Sequence, residues 1–200
     1  GLMFYRNGRL WKKFFEALGF DCVISEKSNR EILNEGMEWA IDETCLPFKM
    51  YLGHVLSLIG KCDAIFVPRM GGYTKQEKMC TRYEALPDLV ENVFREKHVH
   101  ILSVSYDWYD KTTEEQVYIE LGQKIGKTKK AAKKAYHEAR KYQAKIFKER
   151  ERRMEGLLEQ KGTKILLAGH PYVLHDAFMG QELARILRGM GAEVVFTDDM

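Results

Sequence analysis

Four cysteines, Cys22, Cys45, Cys62 and Cys80, are the residues of this sequence best suited to chemistry. A thiolate is both a nucleophile and a soft metal ligand, and unpaired backbone N–H groups at the positive end of a helix dipole favour it. Cys45 stands in ETCLPFKMYLGHV, just ahead of Pro47, a residue that suits a first helical turn. Its place fits metal binding or reaction, with simple packing as the alternative. Cys80 follows a Gly-rich polar loop, GGYTKQEKM, which itself follows the strand-like run CDAIFVP. The C-terminal ends of parallel strands are where α/β sheets bind ligands, so both thiols could meet at one edge of a sheet. Cys22, inside DCVIS, and Cys62, directly before an apolar run, read as packing residues. No CxxC pair occurs, and four cysteines in 200 residues are too sparse for a disulfide framework. The thiols are therefore expected to be reduced, or some of them bound to metal.

A second cluster of chemical residue types lies in AGHPYVLHD, after the strand-like KILLA: His170, Tyr172, His175 and Asp176. At a strand's C-terminal end such residues can orient a substrate, and solvated loop residues are the plain alternative. His54, in the middle of the run after Cys45 and off its main apolar face, reads as structural. Asp42 and Glu43 sit where acids commonly serve a helix dipole, so no acid/base role is assigned to them. The sequence has no GxxxxGK[ST] run, no HExxH and no nucleophile elbow, which removes the P-loop nucleotide site and the simple hydrolase readings.

The elements that must position these residues can be read from periodicity. Leu10, Trp11, Phe14, Phe15 and Leu18 repeat at helical spacing, Gly19 ends that helix, and DCVIS reads as a short buried strand. Ser28 with Glu31 reads as a capping box for a short helix that Gly36 terminates. Phe48, Tyr51, Leu52, Val55, Leu56 and Ile59 then form one face of a helix closed by Gly60. CDAIFVP and HVHILSVSY read as strands with a helix, ALPDLVENVF, between them. Alternating helices and buried strands predict an α/β domain over residues 1–110 with a parallel sheet covered on both faces. Thr112 with Glu115 is expected to cap a helix, and Thr128 to begin a second, long one reaching about Gln160, so that 111–162 is a helical connection. Residues 163–200 read as strand, loop, helix with Leu183, Ile186 and Leu187 inward, and strand. One such β-α-β unit cannot cover both faces of its strands, so it is expected to open a second α/β domain, truncated here. The first helix also lacks the strand expected before it, and the chain reads as an excerpt of a longer protein.

Composition is that of a globular protein, 45% hydrophobic and 30% charged, with a formal net charge of +3. Much of the basic excess falls between Lys124 and Lys164, on what reads as the solvated face of the long helix, so no nucleic-acid partner is expected. No apolar run reaches the roughly 18 residues a membrane span needs, and GLMFYRNGRLW lacks the apolar core of a signal peptide. No membrane partner is expected, and the cytoplasm is the expected compartment.

The order GLMFYRNGRLWKKFFEALGF, ETCLPFKMYLGHV, CDAIFVPRM, a cysteine followed by LPD, and ILLAGHPYVLHD with GAEVV resembles the 2-hydroxyacyl-CoA dehydratase superfamily. More narrowly it is similar to the stand-alone proteins described as acyl-CoA dehydratase activase-related, or CoA-substrate-specific activase-related. The resemblance implies two Rossmann-like α/β domains with an iron–sulfur cluster, of the 4Fe-4S kind, held between them on cysteines. The family cysteine of CLPxK falls on Cys45 and the one after the IFxPR strand on Cys80, while a third ligand is expected outside this chain. The family usually has proline after that second cysteine, where this sequence has Thr81. Lys49 and Arg69 would meet CoA phosphates or balance cluster charge, with surface solvation as the alternative. The implied function is a dehydratase subunit, or a reductase component, that accepts a low-potential electron from a separate ATP-hydrolysing activator. A CoA thioester or another small substrate and a homo- or heterodimer go with it, and no nucleotide site is expected in the chain. The alternative is a non-catalytic scaffold that docks with the activator.

Overall fold

The computed structural model describes residues 2–72, 74–76 and 78–199. The elements, in chain order, are α1 (Phe4–Ala17), α2 (Arg30–Glu38), α3 (Leu46–Leu58), β1 (Ile65–Phe66), β2 (Arg69–Gly72), α4 (Thr81–Glu84), α5 (Leu86–Val93), β3 (Ile101–Leu102), β4 (Ser105–Asp107), α6 (Glu114–Lys124), α7 (Lys129–Glu159), β5 (Lys164–Leu167), α8 (Pro171–Leu174), α9 (Gly180–Gly189) and β6 (Glu193–Phe196). This is a mixed α/β fold, and its strands pair in parallel as expected: β1 with β3, β2 with β4, and β5 with β6. The contacts divide the chain into two compact units that interleave in sequence. One holds Gly1–Lys13, Ser25–His54 and Ala139–Met200, the other Phe14–Ile24 and Val55–Glu138.

In the second unit the two short strand pairs are joined by one hydrogen-bond ladder. The N–H groups of Ile65, Val67 and Arg69 donate to the carbonyls of His100, Leu102 and Val104 at 2.9, 2.9 and 2.8 Å. Pro68 falls in the alternate phase, where its missing N–H removes nothing from that ladder. Phe14 and Phe15 of α1 pack edge-on against Tyr118 and Phe66, with centroids 5.0 and 5.3 Å away. Gly122 of α6 lies against Ala132 of α7, whose Cβ would stand 2.3 Å from any Cβ added there. DCVIS forms no strand among the described residues, and Val23 and Ile24 are half exposed. An apolar run becomes a strand only where a neighbouring strand takes up its backbone groups, and no described strand pairs with DCVIS.

In the first unit β5 and β6 run in register from Lys164↔Glu193 to Leu167↔Phe196, and α9 covers one face through Ala184 and the half-buried Leu187. Leu183 and Ile186, expected inward, are instead about half exposed. The small Ala184 faces the sheet, so the helix is turned away from the larger apolar pair. Three caps also differ from expectation. Asn29, not Ser28, caps α2, its Oδ1 accepting from Ile32 N at 2.9 Å. Thr113 with Gln116, not Thr112 with Glu115, forms the capping box of α6. Gly36 does not stop α2 but lies inside it at a crossing with α3, where a Cβ would stand 2.0 Å from the Lys49 carbonyl oxygen. Gly53 is the matching position on α3, 1.9 Å from the Ile32 oxygen by the same measure. Two glycines thus let the helices touch backbone to backbone, a local cause that outweighs the cost of glycine in a helix. Gly19 and Gly60 do end their helices, in the left-handed region. The long helix is present as α7, its Ala132, Ala135, Ala139, Ile146 and Met154 buried.

Candidate functional site

Cys45 and Cys80 are both exposed thiols, and each immediately precedes a helix. The Cys45 carbonyl accepts from Phe48 N and Lys49 N at 3.0 and 3.2 Å, which makes it the capping residue of α3. Lys49 Nζ donates to the Asp42 carbonyl at 2.9 Å and so closes the loop that presents Cys45. Cys80 caps α4 with its own carbonyl, which accepts from Tyr83 N at 2.8 Å. The preceding loop is pinned to the end of β2 by Met79 N donating to Gly71 O at 2.8 Å. Arg69 reaches from β2 to the Glu84 carbonyl, at the end of α4, and to both carboxyl oxygens of Asp88 at 2.9 and 2.8 Å. Lys49 and Arg69 therefore serve local structure around the two cysteines. Cys22 and Cys62 are half-buried, and burial, then Asp63, pushes the Cys62 thiol up. Cys45 and Cys80 belong to different units.

Within the first unit, four chain segments meet in a buried polar network that sequence reasoning missed. Asp176, 1% exposed, accepts through Oδ2 from Tyr5 O–H at 2.5 Å and from Ser28 Oγ–H in a very short bond. Its Oδ1 accepts from the N–H groups of Phe178 and Met179 at 2.9 and 3.1 Å. The Ser28 proton is thereby committed, so its oxygen must accept from His54 Nε2–H, 2.9 Å away. His54 Nδ1 is then an acceptor, and Ser25 Oγ–H donates to it at 2.9 Å. The donors run in one direction: Ser25 to His54 to Ser28 to Asp176. Burial pushes the His54 imidazole down to about 4, against an opposing pull from Asp176. Burial, then the bond to Asp176, pushes the Tyr5 phenol up. His54 is structural as expected, but as the centre of a network. Ser28 looked like a cap because serine commonly caps helices, and partners 26 and 148 positions away leave no local pattern.

The segment after β5 separates into different environments. His170 is exposed and stacks on Tyr172, ring centroids 5.0 Å apart. His175 Nε2 bonds Asp198 Oδ2 at 2.6 Å and its ring packs 5.0 Å from Phe196. Burial works against the Asp198 carboxylate, yet the hydrogen bond and charge of His175 hold it below the usual carboxylate range. His170, Tyr172 and His175 thus lie at the C-terminal ends of β5 and β6, while Asp176 turns inward.

The sequence as a whole matches a family model described as "CoA enzyme activase uncharacterised domain (DUF2229)", over residues 1–200. The chain belongs to that family. No curated protein and no solved structure matches it. Among the described residues of this activase-family domain, no three His, Cys, Asp or Glu side chains converge as metal ligands. No described helix is long and apolar enough to cross a membrane.

Proposed function

We propose that this activase-family protein is an iron–sulfur protein that accepts a low-potential electron from an ATP-hydrolysing activator and delivers it to a small substrate, with a CoA thioester as the leading class. The observation that carries the reading is the sorting of the four cysteines. The two that the resemblance assigns to the cluster, Cys45 and Cys80, are the exposed ones, and both stand where a helix begins. Thiolates suit iron, and unpaired N–H groups at a helix start favour the charged sulfur. The donor chemistry fits, and two thiolates need further ligands from outside this chain to complete a cluster. When bound, the cluster supplies one-electron chemistry. The chain's own part is to hold the two thiols, through Lys49 and Arg69 respectively, and to offer His170, Tyr172 and His175 at strand ends to orient a substrate. Rossmann-like domains and a cytoplasmic dimer belong to the same reading.

The test is iron and acid-labile sulfide in the full-length protein purified without oxygen. Stoichiometric iron that falls in both Cys45→Ser and Cys80→Ser is the expected result; iron-free wild type would end the proposal. A second reading is favoured by Thr81, which stands where the resembled family carries proline. It is a scaffold that docks with the activator without a cluster, and cluster-free protein that failed to retain the activator would exclude it.

A further inference from the structure

We propose that His175, held by Asp198, is a proton-accepting group for a small substrate that carries an acidic O–H or C–H proton. The inference takes from the proposed function only that a small substrate binds at these strand ends, and it makes no use of the cysteines or of a cluster.

β5 and β6 run parallel, His175 follows β5 by way of the short α8, and Asp198 lies two residues beyond the end of β6. Both side chains stand at the C-terminal edge of the pair, where parallel sheets bind ligands. His175 Nε2 and Asp198 Oδ2 are 2.6 Å apart. Burial works against the Asp198 carboxylate, but the hydrogen bond and charge of His175, together with the charge of Arg150, keep it ionised. A carboxylate only accepts, so Nε2 carries the hydrogen and the lone pair of the neutral ring is left on Nδ1. No described residue bonds Nδ1. Asp198 Oδ1 is buried and has no hydrogen-bond partner among the described residues, so no second donor dilutes the charge that acts on the imidazole.

His175 is also braced along its backbone. Its N–H donates to Pro171 O at 2.9 Å, and the carbonyls on either side, of Leu174 and Asp176, accept from Gln181 Nε2 and Gln181 N at 3.2 and 3.0 Å. Gly180 lets α9 begin against α8, since a Cβ there would stand 2.3 Å from the Val173 carbonyl oxygen. The next side chain, Asp176, is locked inward by Tyr5, Ser28 and the N–H groups of Phe178 and Met179. The ring packs 5.0 Å from Phe196, and the side chain is 18% exposed. An ordinary surface ion pair is loose and screened, whereas this imidazole is fixed, with one nitrogen committed and the other open. The step it suits is simple. The Nδ1 lone pair takes the proton, the bonding electrons stay on the substrate oxygen or carbon, and the Asp198 carboxylate stabilises the imidazolium until the proton is returned. His175 is the catalytic residue of the pair and Asp198 the positioning residue.

The test uses full-length protein purified without oxygen and the acylating probe diethyl pyrocarbonate. The probe bonds to a ring nitrogen with a free lone pair, and ethyl carbonate leaves with the proton of the other ring nitrogen. Peptide mass spectrometry reads each histidine separately, and the exposed His170 of the same segment is the reference. His175 of the wild type is expected to be modified at neutral pH. In Asp198→Asn an amide N–H donates to Nε2, which moves the ring proton to Nδ1 and covers both nitrogens. Modification of His175 should then be about tenfold slower with His170 unchanged, and nitrogen NMR of the ring should show the proton moving from Nε2 to Nδ1. An unmodified His175 in the wild type would overturn the proposal, as would an equal or faster rate in Asp198→Asn. Iron measured in the same samples keeps the two readings apart: iron-free protein with a reactive His175 would end the electron-acceptor reading alone, and iron-loaded protein with an unreactive His175 would end this one alone.

Discussion

Cys45 precedes a 13-residue helix that is buried all round from Met50 to Val55 and crosses α2 through a pair of glycines, whereas Cys80 precedes a four-residue helix tethered by a half-exposed arginine. Both thiols cap a helix, but the first helix buries every residue from Met50 to Val55, whereas the second buries Tyr83 alone of its four residues and is otherwise held by surface contacts. Interior anchoring is backed by desolvation, since each polar group left unpaired there costs its full hydration. Surface anchoring is screened by water and salt. One thiol is thus held on a fixed mount and the other on an adjustable one.

The largest effect that should sharpen this contrast is at Asp176. Replacing it by alanine takes the acceptor from the buried Ser28 hydroxyl and from the part-buried Tyr5 hydroxyl and Phe178 and Met179 N–H groups. The expected loss is about 4 kcal/mol, several unmet hydrogen bonds partly relieved by relaxation. A urea titration reads it directly; an unchanged midpoint would mean that the network holds nothing, and the contrast between the two mounts would fail.

How the two mounts were legible in the sequence follows from the range of their interactions. The helix after Cys45 was plain from Phe48, Tyr51, Leu52 and Val55, and its glycine stop at Gly60 followed the same local logic. The parallel pairing was legible too, because short apolar runs alternating with helices leave few other arrangements. Ser28 and Gly36 were read as a cap and a helix stop, and Asp176 as a strand-end loop residue able to orient a substrate, for a common reason. Each had a sufficient local role, as cap, helix stop or loop residue, and its actual partner lies far along the chain: Ser28 meets Asp176 across 148 positions. Periodicity reports which face a residue lies on and is silent about which distant polar group meets it. The cysteines and strand-end histidines stand out in the sequence by residue type alone, whereas Tyr5, Ser25 and Asp198 do not, because their hydrogen bonds exist only once the chain has folded.

A second prediction concerns acid. In the folded protein the His54 imidazole is pushed down to about 4, below the roughly 6.5 of an unfolded chain. The unfolded state therefore binds the proton first, so this contribution is complete above the unfolded value and fades as pH falls towards the folded one. Between pH 7.5 and 5.0 the expected loss is about 2 kcal/mol, seen as a falling urea midpoint. His54→Gln should start less stable and show a flatter profile over the same range. An equally steep profile in that variant would assign the acid sensitivity elsewhere.

The smallest effect tests the surface mount. Arg69 holds Glu84 and Asp88, but its side chain is 36% and that of Asp88 58% exposed, so Arg69→Ala should cost no more than about 1 kcal/mol of global stability. Its local effect should still be visible. Without Arg69 the four-residue α4 is still held by the buried Tyr83 and by the Met79–Gly71 bond before it, but its C-terminal end is released, and the amides of Tyr83 and Ala85, which bond Cys80 O and Thr81 O, should exchange up to about fivefold faster. The amides of Phe48 and Lys49, bonded to Cys45 O, serve as the internal reference and should not change. Hydrogen exchange read by NMR gives both sets in one sample. Acceleration confined to the Cys80 helix would establish that its mount can be loosened alone; equal acceleration at both helices would show that the two mounts respond as one, and the distinction between fixed and adjustable thiols would have to be given up.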